Sequence, residues 1–330
     1  MAPETAPQRD RDPAAYADVD VEIRPATHDD YEAVAAFTED TWSDRGGSDY
    51  IQSVYHDWID KDDAATLLAD AGDRVAGIAQ IVALSGDEAW AQGMRVNPVD
   101  RGAGVSVAIN TALFDWARER GATVARNMVF SWNVAGMGAS YAAGFRPCTE
   151  FRWLHPDPDA DAAGAAGHET VADPEIAWRD WADSDAREEL RGLALDLGES
   201  WAMRELTPDL LAEAAAGADD ADGTSVLAVR RDEGAVGCAF RTRTFEREGE
   251  DGATELHAEY GVGAWDDLDA ARELLAAIAR DAAAVGADRT RVLIPEDPRH
   301  VMEASHLRAE VGEEPDFVNA ADLTGSYPDY

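Results

Sequence analysis

The sequence predicts an α/β (α+β) protein of two tandem domains, each a twisted, mixed and largely antiparallel sheet flanked by helices. Strand and helix patterns alternate along the chain, and the segment HPDPDADAAGAAGHET interrupts them with prolines, glycines and acids. The same order of patterns recurs after that segment. Superposing ERGATVARNMVF on AVGADRTRVLIP aligns Gly121 with Gly286, and superposing RVAGIAQ on GAVGCAF aligns Gly77 with Gly237. An internal duplication is the economical explanation.

The expected boundaries follow this division. A length of 330 residues suits two domains of ordinary size. The opening MAPETAPQRDRDPAAYADVD has acids and prolines but no apolar core, which is typical of a disordered tail and not of a signal peptide. We expect a disordered acidic tail at 1–20, a first domain at 21–156, a linker at 157–172 and a second domain at 173–330.

In the first half, apolar periodicity and turn signals predict an ordered series of elements. The series is the strand VEIRP, the helix THDDYEAVAAFTEDTW capped by Thr27, two strands around a turn at Gly72 and Asp73, the strand AWAQGMRV, a helix from Gly104 to Arg120, the strand ATVARNMVF, the helix AGMGASYAAGF and the strand RPCTEFRWL. The helix from Gly104 has the clearest pattern, with apolar residues three and four apart and Gly121 placed for a left-handed cap.

The second half repeats this order. It runs through PEIAWRDW, the helix SDAREELRGLALDL, two strands in SVLAVRRDEGAVGCAFRTRTF, the strand ATELHAEYGVG, the helix DLDAARELLAAIARDAAAVGA and the strand RTRVLIP. The repeat therefore extends over most of each half.

The charge of the chain limits its partners. Lys+Arg number 28 against 67 Asp+Glu, a formal net charge of −39, and Lys61 is the only lysine. Nucleic acid and anionic membranes are poor partners for such a surface, and the longest apolar stretch is too short to span a bilayer. The composition indicates adaptation to concentrated intracellular salt, which screens self-repulsion. A specific basic partner is the rival interpretation.

The cysteines indicate no metal centre. Cys148 and Cys238 are far apart in sequence and form no ligand spacing, so we interpret them as small buried residues in a reducing compartment. The sequence thus predicts a cytoplasmic monomer or homodimer without a metal ion.

The stretch VNPVDRGAGVSV before the long helix predicts an anion site. Gly102 and Gly104 leave the backbone N–H groups of the helix start open to approach, and Arg101 adds forked donors suited to phosphate. The alternative is an ordinary tight turn between a strand and a helix. A second stretch, NVAGMGASYAAGFRP, starts a helix at Asn133 and places Tyr141 about two turns later. On spacing alone, Asn133 is a cap and Tyr141 a half-buried core residue.

Together these stretches resemble the GNAT superfamily of acetyl-CoA-dependent N-acetyltransferases. The family signature is Arg or Gln, two residues, Gly, one residue, then Gly or Ala. Arg101 and Gly104 match it, and Ser106 stands where Gly or Ala is usual, although serine is small enough for the helix to stay close to a pyrophosphate. The resemblance covers roughly Val21 to Leu154 in element order, with its specific motifs between Arg95 and Phe145.

The resemblance implies an enzyme that moves an acetyl or short acyl group from coenzyme A to an amine by direct attack in a ternary complex. Acetyl-CoA would be its co-substrate. The backbone of Arg101, Gly102, Ala103, Gly104, Val105 and Ser106 would hold the pyrophosphate, the strand end at Arg95 and Val96 would pair with the pantetheine arm, and Asn133 would hydrogen-bond that arm. Tyr141 matches the tyrosine that protonates the leaving thiolate.

The residues that meet the acceptor are less sharply indicated. Members of the family often use a carboxylate on the fourth strand as the base, and Glu88 is the candidate because on a regular strand it would share a face with Trp90, Gln92, Met94 and Val96. A solvated turn residue is the alternative. The pocket is expected around Trp42, Tyr50, Tyr55 and Trp90, of which the first three could equally be core aromatics. The acceptor itself, a small molecule or a protein amino group, is left open.

The second half lacks the anion turn. At the corresponding position Asp266, Asp267 and Asp269 crowd the helix start, where they cap the helix but repel a pyrophosphate. We expect a degenerate domain that kept the fold and lost the cofactor, and we interpret His257 and Glu259 there as structural. The alternative functions are a non-catalytic acyl-CoA-binding regulator and an interaction scaffold.

Overall fold

The computed structural model describes residues 20–41, 49–217, 225–232, 234–249 and 252–325. The predicted tail at 1–20 therefore lies outside the described residues, except for Asp20. The chain divides into two compact units. The first unit takes its described residues from Met1–Asn127, Ala135–Arg146 and Ala320–Tyr330, and the second consists of Met128–Val134 and Pro147–Asn319.

The first unit contains a sheet covered by helices on both faces. Its elements are β1 (Glu22–Pro25), α1 (Tyr31–Thr38), α2 (Ile51–Asp60), β2 (Ala64–Asp70), β3 (Val75–Ala83), β4 (Glu88–Val96), α3 (Val105–Glu119), the start of β5 (Val124–Phe130) and most of α4 (Val134–Ala142). Strands β1 to β4 pair antiparallel in order, and β5 pairs parallel to β4. Helix α2 was not predicted, because the residues after the first helix were expected to form an acceptor pocket.

Helix α3 packs on one face of this sheet. Its buried residues Val105, Ile109, Leu113 and Phe114 share a core with alanines of β2, β3 and β4. The helix ends as predicted, with Gly121 at φ 94° and its N–H bonded to the carbonyl of Arg118. Helices α1 and α2 cover the opposite face, where Ile51, Tyr55 and Trp58 pack with Leu68 and Ile78.

The last described residues of the chain complete the first unit. Ala321 and Leu323 are buried in the core beneath α3, and the Leu323 N–H donates to the Thr123 carbonyl at 2.8 Å. The Arg118 side chain donates to the Leu323 carbonyl at 3.1 Å. The units therefore differ from the contiguous halves that the sequence suggested: the first unit includes a segment from the far end of the chain.

The second unit contains the longer sheet. Its elements are β6 (Arg146–His155), β7 (His168–Val171), α5 (Pro174–Asp183), α6 (Asp185–Glu189), β8 (Leu193–Leu195), β9 (Met203–Glu205), α7 (Pro208–Ala216), β10 (Ser225–Arg231), β11 (Gly234–Glu248), β12 (Thr254–Trp265), α8 (Leu268–Ala284), β13 (Arg289–Pro295), α9 (Pro298–His306), β14 (Glu310–Val311) and β15 (Asp316–Asp322), of which β6 begins and β15 ends in the first unit.

The strand order supports the predicted duplication. Strands β7, β10, β11 and β12 pair antiparallel in that order, and β13 pairs parallel to β12, which repeats the pattern of β1 to β5. Helix α8 follows β12 as α3 follows β4. Each unit is thus a mixed, largely antiparallel sheet flanked by helices, and the predicted fold class is confirmed.

The segment predicted as a linker, 157–172, lies inside the second unit. Its end forms β7, and its middle is held by the buried Glu273, whose carboxylate accepts from the Ala165 N–H at 2.9 Å and from the Thr170 hydroxyl at 3.0 Å. A Cβ on Gly164 would lie 1.6 Å from Glu273 Oε2, so this backbone approaches the carboxylate as only glycine can. The segment is therefore held against α8, because hydrogen bonds to the buried Glu273 replace the solvation of its polar backbone.

Among the described residues, no helix combines the length and the apolar character needed to cross a membrane.

Candidate active site

Two glycines with positive φ shape the turn before α3. Gly102 and Gly104 adopt left-handed conformations, φ 78° and 90°, and Gly104 is the N-cap of the helix. The carbonyl of Gly104 receives the first helical hydrogen bonds, from the N–H groups of Val107 and Ala108. The N–H groups of the preceding helix residues thus lie ahead of the helical ladder, and Arg101 at the same turn is exposed.

Asn97 holds the chain that leads into this turn. Its N–H donates to the Ala76 carbonyl at 2.9 Å, and its side chain donates to the Val75 carbonyl and accepts from the Val99 N–H. No local motif marks this residue in the sequence. It fixes the end of β4 to β3, so the turn starts from a rigid strand.

Gly77 on β3 brings the end of β4 and the start of α3 together. A Cβ at Gly77 would lie 2.8 Å from the Arg95 carbonyl oxygen, 3.0 Å from Val105 Cγ1 and 3.1 Å from Ile109 Cδ1. A larger residue would therefore push α3 away from the sheet. The absence of a side chain at Gly77 sets the position of the glycine turn over the strand end at Arg95 and Val96.

A β-bulge at Gly93 corrects the predicted strand parity. The pairing of β3 with β4 shifts between Ile78 and Gln80, and Gly93 adopts φ 63°. After the bulge, Met94 and Val96 pack in the core under α3, on the other face from Gln92. The prediction that Glu88 shares one face with Met94 and Val96 was wrong, because it assumed a regular strand.

Strand β4 continues beyond its pairing with β5. The two strands pair from Glu88 with Val124 to Trp90 with Arg126, and β4 runs on to Val96. This later part includes Arg95 and Val96. From the sequence, the pantetheine arm of the cofactor is expected to pair with the backbone there. The strand end and the glycine turn therefore lie together in the first unit.

The Arg95 side chain faces α2. Its Nε and Nη2 donate to Asp49 at 2.6 and 3.2 Å, and its guanidinium lies 5.5 Å from the centre of the half-exposed Tyr50 ring. Asp49 is 4% exposed and also accepts from the Ile51 N–H at the start of α2. Asp49 is a residue that local sequence patterns did not reveal, since its partner is far along the chain.

The predicted acceptor walls have different environments. Trp42 lies outside the described residues. Tyr50 is 40% exposed and packs edge-on against Trp58. Tyr55 lies in the core, where its hydroxyl donates to the Thr27 carbonyl and burial raises its pKa to about 12. Trp90 is also buried. Of the described three, only Tyr50 presents its ring at the surface.

Glu88 is buried and paired with Arg126. Its Oε1 lies 2.5 Å from Arg126 Nη1, and both side chains are less than one-sixth exposed. Glu88 occupies the first position of β4, at the opposite end from Arg95. To act as a base, this carboxylate would first have to leave a buried ion pair, which is costly.

Tyr141 and Asn133 lie at opposite ends of the segment that forms α4. Tyr141 is 58% exposed, and the Arg146 guanidinium stacks on its ring at 4.0 Å while donating to the Tyr141 carbonyl. The phenol is thus held at the surface by a cation. Asn133 precedes the helix, in the second unit, and its N–H donates to the Phe130 carbonyl.

In the second unit, an aspartate caps the helix start that corresponds to the glycine turn. Asp267 caps α8 by accepting from the N–H groups of Asp269 and Ala270, and its other oxygen pairs with Arg231. The Arg299 side chain donates to the carbonyls of Trp265 and Asp266 beside it. This helix start already holds a carboxylate, so an anion site there would require displacing it.

No group of three histidine, cysteine, aspartate or glutamate side chains within the described ranges is arranged to hold a metal ion.

Residues 31–145 match the model of the acetyltransferase (GNAT) family. A histidine N-acetyltransferase of Xenopus tropicalis is 33% identical over 95 residues, which cover 28% of this chain and 28% of that protein. The match thus spans little more than a quarter of that curated relative.

Two solved structures resemble almost the whole chain. A GCN5-related N-acetyltransferase from Sphaerobacter thermophilus has a TM-score of 0.57 at 12% identity, covering 93% of this chain and 96% of that one. A tandem GNAT protein from the clavulanic acid biosynthesis pathway has a TM-score of 0.53 at 14% identity, covering 93% of this chain and 99% of that one. At these identities the likeness establishes the fold.

Proposed function

We propose that this protein transfers an acetyl group from acetyl-CoA to an amine, since residues 31–145 match the model of the acetyltransferase (GNAT) family. The observation that carries the proposal is the glycine turn at the start of α3, with Gly102 exposed and Gly104 as the N-cap, which Gly77 places beside the end of β4. A helix start with a neighbouring arginine suits a pyrophosphate, and a strand backbone that runs beyond its partner suits an amide-bearing arm.

The residues that would hold acetyl-CoA form one surface of the first unit. The backbone from Gly102 to Ser106 and the Arg101 side chain would bind the pyrophosphate, and β4 from Arg95 to Val96 would bind the pantetheine amides. Acetyl-CoA supplies a thioester carbonyl carbon that an amine lone pair can attack.

Tyr141 is the proposed proton donor. As the amine nitrogen bonds to the acetyl carbon, the carbon–sulfur bond breaks, and the phenol gives its proton to the leaving sulfur. The amine loses its own proton to solvent, which also reprotonates Tyr141. A positioned acid of this kind contributes about a hundredfold to the rate. Because Glu88 is held by Arg126, we propose that water, and not Glu88 directly, takes the amine proton.

We propose a free amino acid as the acceptor, with histidine first. The proposal is supported by the name of the Xenopus tropicalis relative, a histidine N-acetyltransferase. The experiment is a rate assay of thiol release from acetyl-CoA with each of the twenty amino acids in molar KCl, with L-histidine as the lead probe. Release with none of them, together with tight acetyl-CoA binding, would favour the regulator instead.

Acetyl-CoA binding is tested separately by calorimetric titration. We expect one site per chain, lost in the double variant Arg101→Ala, Gly104→Glu. Arg120→Ala is the matched control, since this exposed arginine stacks on Trp116 at the other end of the same helix. Two sites would mean that the second unit also binds, and an absence of binding in the wild type would overturn the transferase and favour a scaffold.

A further inference from the structure

One face of the second unit's sheet carries an ordered group of charged and aromatic residues, which we call the arginine block. Neighbouring strands β11, β12 and β13 place its members directly opposite one another in three rows. The rows are Arg247 with Glu255, then Phe245 with His257 and Arg289, then Arg243 with Glu259 and Arg291. Because the members are two residues apart on each strand, all of them share one face, and the alternate residues Ala258, Tyr260 and Val292 pack in the core with α8.

The arginine block is positively charged in a strongly acidic chain. Its four arginines face two glutamates, Glu255 and Glu259, which gives it a formal charge of +2 in a protein of net charge −39. His257 adds no charge at pH 7, because burial lowers its pKa. A local excess of positive charge attracts anions, so the ligand chemistry that this face suits is anionic.

The deepest row has one carboxylate for two guanidinium groups. Glu259 is fully buried and accepts from the Thr242 hydroxyl at 2.9 Å, from Arg243 Nη2 at 2.8 Å and from Arg291 Nε at 2.6 Å. The row therefore holds one positive charge in excess. Since a charge held away from water is costly without a counter-ion, an anion from outside would stabilise this row.

Of the two arginines, Arg291 is the enclosed one. It is 8% exposed, and its guanidinium lies 4.8, 4.7 and 4.6 Å from the ring centres of Trp153, Trp201 and Phe245. These cation–π contacts and the bond to Glu259 fix its position. Arg243 instead reaches the surface, with 20% of its side chain exposed and its Nη2 donating to the exposed Ser200 hydroxyl at 2.8 Å.

Two polar atoms of the arginine block are not used by the fold. Arg243 Nε and His257 Nε2 are buried and have no hydrogen-bond partner in the part of the chain that the structure describes. The His257 atom lies 3.6 Å from the Glu255 carboxylate, which is too long for a hydrogen bond. A buried polar atom without a partner costs about 1–3 kcal/mol, so two of them on one face indicate a polar group that the chain itself does not supply.

The middle row supplies a flat surface. The rings of Phe245 and His257 stack with centres 5.2 Å apart and planes 20° apart, and both residues are half-buried. The exposed Arg247 and Arg289 flank them. Three strands and three rows measure about 10 Å by 13 Å, which is the size of a small molecule. The arginine block thus combines an aromatic centre with cationic edges.

We infer that the arginine block is a binding site for a small aromatic carboxylate. Its carboxylate would pair with Arg243, whose forked donors match two oxygens, and its ring would lie on the pair formed by Phe245 and His257. Glu259 keeps the structural role expected from the sequence, whereas His257 becomes a ligand contact. The inference goes beyond the proposed function and does not depend on it, because none of these residues is among those proposed to hold acetyl-CoA.

The test is calorimetric titration of phenylacetate into the whole protein in molar KCl. We expect one site per chain and roughly tenfold weaker binding in Arg243→Met, because a charge-assisted hydrogen bond is lost. Phenylacetamide, which has the same ring and no charge, should not bind. Arg179→Met is the matched control, since this exposed arginine of α5 lies in the same unit and pairs with Glu175 at 3.9 Å.

Should Arg243→Met not fold, Arg289→Met tests the same site from its exposed edge, and phenylacetate binding should weaken severalfold. Three results would each overturn the inference: no binding of phenylacetate to the wild type, unchanged affinity in the folded Arg243→Met variant, or equal binding of phenylacetamide. Inorganic phosphate that binds more tightly than phenylacetate would also overturn it, because the face would then select a small oxyanion. Acetyl-CoA titration of the same variants should give the wild-type affinity, so failure here leaves the transferase standing.

Discussion

The guanidinium of Arg95 and the carboxylate of Asp49 form a buried ion pair, with Nε 2.6 Å from Oδ2. The pair joins the end of β4 to the start of α2, two elements that are separated in sequence by β2 and β3. The same strand end approaches Gly77 and α3 on the other face. One residue thus ties together three elements around the proposed cofactor site.

Removing one member of this pair should destabilise the protein strongly. Asp49→Ala leaves a buried guanidinium without its counter-ion, which costs about 3–5 kcal/mol of unfolding free energy. Urea unfolding measures the loss. Arg74→Ala is the control, because Arg74 pairs with Asp73 and Asp100 at the surface and should change little. Equal losses in both variants would show that burial of the Arg95 pair is unimportant.

Gly77→Ala should lower both stability and acetyl-CoA affinity. The new methyl would lie 2.8 Å from the Arg95 carbonyl and 3.0 Å from Val105, so α3 or β4 must shift, and overpacking of this kind costs about 1–3 kcal/mol. Gly86→Ala is the matched control, since nothing lies within 4 Å of its Cβ position. Scanning calorimetry and acetyl-CoA titration check the two effects. A stable Gly77→Ala variant with normal affinity would contradict the role given to Gly77.

Tyr141→Phe should lower kcat about a hundredfold without weakening acetyl-CoA binding, because it removes the proposed proton donor and keeps the ring under Arg146. Tyr31→Phe is the control, since Tyr31 lies on α1 and packs against Tyr55 and His56 of α2. Thiol-release kinetics provide the measurement. An unchanged kcat would assign the proton transfer to another group.

Asp180 should make the second unit more stable in acid than in base. Asp180 is 6% exposed, and its carboxylate accepts a hydrogen bond from the Cys238 thiol. Burial, together with the nearby charge of Asp266, raises the pKa of Asp180 to about 7. A raised pKa means that the fold favours the neutral acid. Its stabilising contribution is therefore complete below pH 4 and is lost as the pH rises through 7.

Asp180→Asn should accordingly raise the unfolding free energy at pH 8, by up to about 4 kcal/mol, and have little effect near pH 4. Urea unfolding at the two pH values provides the measurement, and Asp183→Asn, an exposed aspartate on the same helix, is the control. A benefit that is the same at both pH values would contradict the titration of Asp180.

Salt should stabilise the protein. With a formal net charge of −39, self-repulsion opposes the compact state, and raising KCl from 0.1 M to 2 M shortens the screening distance to a few ångström, roughly 3 Å already at 1 M. We expect the Tm to rise through this range. A Tm that falls with KCl would remove the argument for a salt-adapted chain.

Local patterns predicted the local parts of the site. The periodicity of α3, its left-handed cap at Gly121 and the aspartate cap of α8 each depend on a few neighbouring residues, and the structure has all three. The anion site at the start of α3 stays a prediction, and it depends on the sequence of the helix start alone.

The parts that were missed depend on distant residues. At the bulge, residue 93 must be glycine because the Trp58 ring would lie 2.2 Å from a Cβ there, and no periodicity in β4 reveals that contact. The partners Asp49 and Arg95 are likewise far apart in sequence. Residues 320–325 belong to the first unit although they lie in the second half of the sequence. The duplication hides this exchange of segments, because both halves carry the same pattern.

That exchange affects the order in which the protein can fold during its synthesis. The core beneath α3 includes Ala321 and Leu323, and the Leu323 N–H closes on the Thr123 carbonyl. A ribosome must therefore translate the whole second unit before the proposed cofactor-binding unit can finish its core. Until then the nascent chain carries an unfilled apolar surface, and binding of acetyl-CoA at the glycine turn should become possible only late in translation.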